Sequence, residues 1–198
     1  MSKVMALDIE TANYSWEIGG WDNTHLFETT VVATWDGDNG HVFSKEDIEL
    51  EGTTVHPLHP RELGEHLQKH VEDNGVVLGH NLMGFDLPVL RDALDCHYAG
   101  ELMSNYKECV IDTSAILRSA GSPVSLGDVC KHTLGSEKLM DSADAPKAWE
   151  EGRYQEVAEY CLKDTQLVYD LLHHGRNEGF VKARNIETGI IDDIEVMW

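Results

Sequence analysis

Positive charge is scarce in this chain. Lys and Arg number 15 against 36 Asp and Glu in 198 residues, which leaves a formal net charge of −21 and a pI near 4.7. Nucleic-acid binders as a class carry a basic footprint, and a uniformly acidic surface repels phosphate. Any phosphate-bearing partner must therefore be met with help: from divalent cations on the carboxylates, from a partner protein that brings a basic channel, or from salt. Long apolar runs are missing as well. No stretch approaches the roughly 18 residues that a membrane-spanning helix needs, so no span is expected. The opening MSKVMALDIE enters a strand-like run with no basic segment and apolar core ahead of it. That pattern points away from a secretory leader and towards the cytoplasm. Cysteine is sparse: Cys96, Cys109, Cys130 and Cys161 form no CxxC spacing. This argues against a zinc site or a disulfide framework and leaves four reduced, buried thiols as the expectation. With 41% hydrophobic and 26% charged residues, the composition suits one globular domain over residues 1–198.

The apolar pattern divides the chain. Lys3 to Ile9 reads as a buried strand interrupted by Asp8, and Asn13 to Asn23, with Gly19, Gly20 and two tryptophans, reads as a loop. Phe27 to Trp35 and His41 to Phe43 read as a hairpin turning at Asp36-Gly37-Asp38-Asn39-Gly40. A helix starts at Pro60 and stops at Asn74-Gly75; Val76 to Gly79 is a short strand, and Asp86 to Asp95 is a helix. Cys109 to Ile111 is a brief strand ending at Asp112-Thr113, read as a turn or cap. Ser125 caps a helix to Leu134, and the longest helix runs from Arg153 to Gly175. Two short strands close the chain around Thr188-Gly189. Strands followed by alternating strands and helices predict an α/β fold with a mixed sheet and helices on both faces.

Four carboxylates interrupt apolar context. Asp8 and Glu10, two apart on a strand, point to one face, and two buried carboxylates on one face are costly unless a cation lies between them. Oxygen donors suit Mg²⁺ or Mn²⁺ rather than zinc. Asp86 stands where a strand end leads into a helix, a position that suits a functional group and equally an N-cap. Tyr160 and Asp164, four apart, share the apolar face of the longest helix and point inward, either as site residues or as a structural pair.

The three segments Leu7-Asp8-Ile9-Glu10-Thr11, His80-Asn81-Leu82-Met83-Gly84-Phe85-Asp86 and Tyr160-Cys161-Leu162-Lys163-Asp164 occur in this order. Together they resemble the motifs of the DEDDy branch of the 3′–5′ exonuclease superfamily, which has a ribonuclease H-like fold. Tyr160, four before Asp164, matches the tyrosine type; Glu159 stands where the other branch has histidine. Val76 to Leu90 with Cys109 to Thr113 looks like the proofreading domain of family A DNA polymerases from tailed phages. Host cytoplasm then becomes the expected compartment if a phage encodes the chain.

The resemblance implies a two-cation mechanism with Mg²⁺ or Mn²⁺. Asp8 bridges both cations, Glu10 and Asp164 complete the one that holds the attacking water, Asp86 supports the other, and Tyr160 positions the water. It further implies a single-stranded DNA 3′ end as substrate, nucleoside 5′-monophosphates as products, and a DNA polymerase as partner. Thr11 and Ala12 match positions that touch the terminal nucleotide. Asn81 and Phe85 are candidates for sugar and base contacts, with plain core as the alternative for Phe85. Trp16 and Trp21 lie in the loop after the first motif, where they could wedge a strand. An RNA-trimming enzyme and a non-catalytic nucleic-acid-binding module are the competing readings; the complete acidic set speaks against the second. His66 and His70, an i, i+4 pair without a third ligand, are expected to pack rather than bind metal.

Overall fold

A computed structural model describes residues 3–136, 139–185 and 188–198. Eight strands and eight α-helices follow one another among them: β1 (Lys3–Thr11), β2 (Thr29–Trp35), β3 (Gly40–Ser44), β4 (Thr53–Pro57), α1 (Pro60–Glu72), β5 (Gly75–Gly79), α2 (Asp86–Asp92), α3 (His97–Ser104), α4 (Tyr106–Cys109), β6 (Val110–Asp112), α5 (Thr113–Ser119), α6 (Leu126–Leu134), α7 (Ala145–Glu150), α8 (Tyr154–Glu178), β7 (Phe180–Arg184) and β8 (Ile191–Glu195). Six strands form one sheet in the order β4-β3-β2-β1-β5-β6, and β7 pairs with β8 apart from it. The β1–β2 and β2–β3 pairs are antiparallel; β3–β4, β1–β5 and β5–β6 are parallel. The sheet is therefore mixed, as the element order predicts, and helices flank it.

The two-residue period of β1 assigns its faces. Met5, Leu7 and Ile9 join Leu63 and Leu67 of α1, Leu87 and Leu90 of α2 and Ala99 and Leu102 of α3 in one core cluster. Val4 and Ala6 turn the other way, into a cluster with Leu167, Val168, Leu171 and Leu172 of α8. Asp8 and Glu10 continue that second face. Each fully buried leucine of the α8 stripe contributes about 2 kcal/mol through water-free packing, which fixes the helix against the sheet. All four cysteines are buried and free. Among the described residues no helix is long and apolar enough to cross a membrane.

Several elements differ from the sequence expectation. β4 was not anticipated: its segment Thr-Thr-Val-His-Pro lies at the sheet edge, half-exposed, and lacks an apolar alternation. α3, with Gly100 inside it, and the short α4, α5 and α7 also lack a long periodic signal. α2 ends at Asp92, because Asp95 has a left-handed backbone, φ +58°. α8 runs past Gly175 to its αL cap at Gly179. Gly175 serves contact rather than termination: a Cβ there would lie 2.5 Å from the indole nitrogen of Trp198, whose N–H donates to the Leu172 carbonyl at 3.0 Å.

A histidine seam joins β3, β4 and α1. His41 Nδ1 and His56 Nε2 share a hydrogen bond of 3.0 Å, His56 stacks on Phe43, and His66 Nε2 bonds Thr34 Oγ1 at 3.0 Å. His70 turns instead to the Val76 carbonyl. His66 is pushed down to about 4, first by burial and then by the neighbouring His41, His56 and His70.

Candidate active site

Three structural elements converge on a cleft of about 340 Å³. β1 sends in Asp8 and Glu10, the start of α2 sends in Asp86, and α8 sends in Tyr160 and Asp164. The three sequence motifs are thus brought together, although Glu10 and Tyr160 are far apart in the chain. Glu10, Asp86 and Asp164 are buried, and Tyr160 is 1% exposed. Asp86 is the first residue of α2 rather than its N-cap, which is Phe85. Its carboxylate therefore sits at the positive end of a helix dipole.

Asp8, Glu10 and Cys161 each offer one ligand atom, all within 4.8 Å of one another. Among the described residues no other group of His, Cys, Asp and Glu meets that geometry. Cys161 had no metal role in the sequence reading. Its Sγ donates to the Asp8 carbonyl at 3.4 Å, and burial, with Asp8, Glu10 and Asp164 nearby, holds the thiol well above its ordinary pKa. It stays protonated, so the usable donors are the carboxylate oxygens. Tyr160 is held far above the ordinary phenol range by burial, by Glu10, Asp164 and Asp8, and by its hydrogen bond to Asp164.

The predicted substrate contacts divide. Thr11, Asn81 and Phe85 line the cleft; Ala12 does not. The Ala12 N–H donates to the Glu28 carbonyl at 2.8 Å, and its side chain packs against the core cluster of Val31, Ala33 and Val157. The Thr11 hydroxyl donates to the Asn13 carbonyl at 3.1 Å. Phe85 makes edge contacts with Phe27 and Trp21, at 5.1 and 5.4 Å between centroids. Asn81 has a left-handed backbone, φ +76°, and its amide oxygen accepts from Arg118 at 3.4 Å.

Asp112 explains how that segment is held. It caps α5 by accepting from Ala115 N–H, as the sequence reading expects of it. It also accepts from the Asn81 and Met83 N–H groups at 2.9 and 3.0 Å. One buried carboxylate thereby ties the end of β6 to the turn that delivers Phe85 and Asp86. The cleft is also lined by Tyr14, His80 and Pro146, which the sequence reading did not assign to the site. His80 gave some signal, lying within the second motif; Pro146 of α7 gave none.

No protein-family model matches the chain, nor does any curated protein. A solved structure does: the family B DNA polymerase from the hyperthermophilic archaeon Pyrobaculum calidifontis, with a TM-score of 0.63 and 16% identity. The match covers 89% of this chain and 25% of the polymerase, so the chain spans about a quarter of that protein's length. At this identity the likeness is one of fold.

Proposed function

We propose that this chain is a metal-dependent 3′–5′ exonuclease of the DEDDy type with a ribonuclease H-like fold. It removes nucleoside 5′-monophosphates from the 3′ end of single-stranded DNA. The observation that carries this reading is the convergence of Asp8, Glu10, Asp86, Tyr160 and Asp164, from three separate elements, on one cleft. The fold likeness to part of a DNA polymerase supports the same reading, as does the resemblance of the sequence motifs to phage family A proofreading domains. It also supports a polymerase as the partner that presents the 3′ end.

The donor set fits hard divalent cations. Asp8 and Glu10 would hold Mg²⁺ or Mn²⁺ through oxygen, with Asp164 and Asp86 completing the two sites. Bound there, the cations neutralise phosphate charge and make a water nucleophilic near neutral pH. Tyr160 keeps its proton and its O–H donates a hydrogen bond to Asp164, which leaves the phenol oxygen's lone pairs to accept from a water and fix its orientation. Asp112 holds the turn that aims Asp86.

The test uses 3′-labelled and 5′-labelled single strands of DNA and RNA with Mg²⁺, Mn²⁺ or EDTA. Stepwise loss from the 3′ end, metal-dependent and abolished in Asp8→Asn, is expected, with DNA preferred. Degradation that persists in EDTA or begins at the 5′ end excludes the mechanism. A preference for RNA moves the substrate to an RNA 3′ end.

A further inference from the structure

A second, smaller sheet stands apart from the cleft. β7 and β8 pair antiparallel, with Val181 against Ile194 and Ala183 against Asp192. Val181, Ala183, Ile194 and Val196 are buried in a cluster with Leu171 and Leu172, which follow Tyr160 and Asp164 along α8. No residue of either strand lines the carboxylate cleft. The register decides which backbone groups face outwards. The Val196 N–H donates to the Gly179 carbonyl at 3.0 Å, and the Asn185 N–H donates to the Ile190 carbonyl at 2.8 Å. Bonded pairs alternate along an antiparallel ladder, so Asp192, Ile194 and Val196 turn their N–H and C=O groups towards β7. Ile191, Asp193 and Glu195 turn theirs away from it.

The outer edges of the two strands differ. α6 closes the edge of β7: the Lys182 N–H donates to Thr133 Oγ1 at 2.8 Å, Thr133 Oγ1 donates to the Lys182 carbonyl at 3.0 Å, and the Arg184 N–H donates to Asp128 Oδ2 at 3.0 Å. On β8 the outward N–H and C=O groups of Ile191, Asp193 and Glu195 have no hydrogen-bond partner among the described residues, and all three residues are exposed. The main sheet protects its own edges by other means. β6 is three residues long, and β4 ends at Pro57, which has no N–H.

Charge decides what the edge of β8 can take. Residues 190–198 hold Asp192, Asp193 and Glu195 and no lysine or arginine. A second copy of this chain pairing β8 to β8 would set Asp193 against Asp193 or against Glu195, and like charges directly opposite are unfavourable. The exposed face of the hairpin shows the favourable alternative. Lys182 stands opposite Asp193, with 3.9 Å between Nζ and Oδ1. A cation on the other side of Asp193 completes a row of alternating sign across three strands. Ile190 and Ile191, 61% and 37% exposed, add apolar surface at one end of the edge.

We infer that the free edge of β8 is a docking site for an extended, lysine- or arginine-bearing segment of a partner protein, which joins the hairpin as a third strand. Backbone bonds to Ile191, Asp193 and Glu195 hold the segment, and its basic side chains beside Asp193 and Glu195 select it.

Binding to the full chain is measured by anisotropy with short labelled peptides: an alternating Lys-Thr peptide, the same peptide N-methylated at every residue, and an alternating Glu-Thr peptide. The methylated twin keeps the charge and loses the amide donors. It therefore separates strand pairing from the attraction of any polycation to a chain of net charge −21. The Lys-Thr peptide is expected to bind at least about tenfold tighter than its twin, and the Glu-Thr peptide not at all. Hydrogen exchange followed by NMR should show the Ile191, Asp193 and Glu195 amides slowed by the Lys-Thr peptide, with Ile194 and Val196 protected throughout. Asp193→Pro removes an outward N–H and no ladder bond, so it should weaken binding about tenfold with an unchanged melting temperature. Asp193→Lys combined with Glu195→Lys should reverse the preference to the Glu-Thr peptide. If Asp193→Pro melts early, the charge-reversed variant and the exchange pattern decide. Equal affinity for the methylated twin, protection that falls elsewhere, or a charge-reversed variant that binds as the wild type does each overturn the docking site. A concentration-dependent dimer that Asp193→Pro dissolves gives the edge to a second copy and overturns it too. None of these measurements involves nucleic acid, so they stand or fall apart from the exonuclease reading.

Discussion

Tyr160 sits where three carboxylates and burial all act to keep the proton on its oxygen. A phenol in that state hydrogen-bonds and orients; it does not take a proton from water. Tyr160→Phe keeps the ring in its pocket and removes only the hydroxyl. Its melting temperature should stay close to that of the wild type, while kcat on a single-stranded oligonucleotide falls about 100-fold with little change in KM. An unchanged kcat would remove Tyr160 from the chemistry. At this scale the meeting of the acidic set in one cleft was legible. A carboxylate in the middle of an apolar strand, a second one two residues on, and an Asp on the apolar stripe of a helix each conflict with burial, and a cation would reconcile them. The second task of Asp112 was not legible. Two of its three donors lie about thirty residues away, and no local pattern announces a hydrogen bond across that distance.

Among the elements, β1 and α8 were readable because β1 is an apolar run buried on both faces and α8 carries one long apolar stripe. β4 was not, since an edge strand with one half-wet face need not alternate. Gly175 misled for a related reason. A glycine late in a helix signals termination, but this one makes room for Trp198, and that contact appears only once the tail has folded back. The seam of β3, β4 and α1 carries its own pH dependence. Folding lowers the pKa of His66 to about 4, and those of His41 and His70 move the same way. The unfolded chain therefore binds more protons than the native state between about pH 6.5 and about pH 4. Stability from this source is complete above that window and is lost as the pH falls through it, by at most about 3 kcal/mol for His66. Denaturant midpoints measured across the window should fall with pH. His66→Gln, which can still bond Thr34 but does not titrate, should flatten the fall. Parallel slopes for wild type and variant would place the acid sensitivity elsewhere.

For the whole molecule the dominant quantity is its charge. At −21 the folded state repels itself, and mobile ions screen that repulsion over about 10 Å at 0.1 M. The melting temperature should therefore rise as NaCl is raised from a low-salt buffer to about 0.5 M, and millimolar Mg²⁺ should raise it further by occupying the carboxylate cleft. A melting temperature that falls with NaCl would mean that attractive surface pairs outweigh the net charge. The closed neck of the loop 12–28 has a consequence for how such a protein can change. Its two ends already touch through Ala12, Asn13 and Glu28. The loop can therefore be excised, shortened or transplanted across that junction without altering the register of β1 against β2. An insertion or deletion confined to this one short segment would then reshape the mouth of the cleft while the carboxylates of β1, α2 and α8 stay in place.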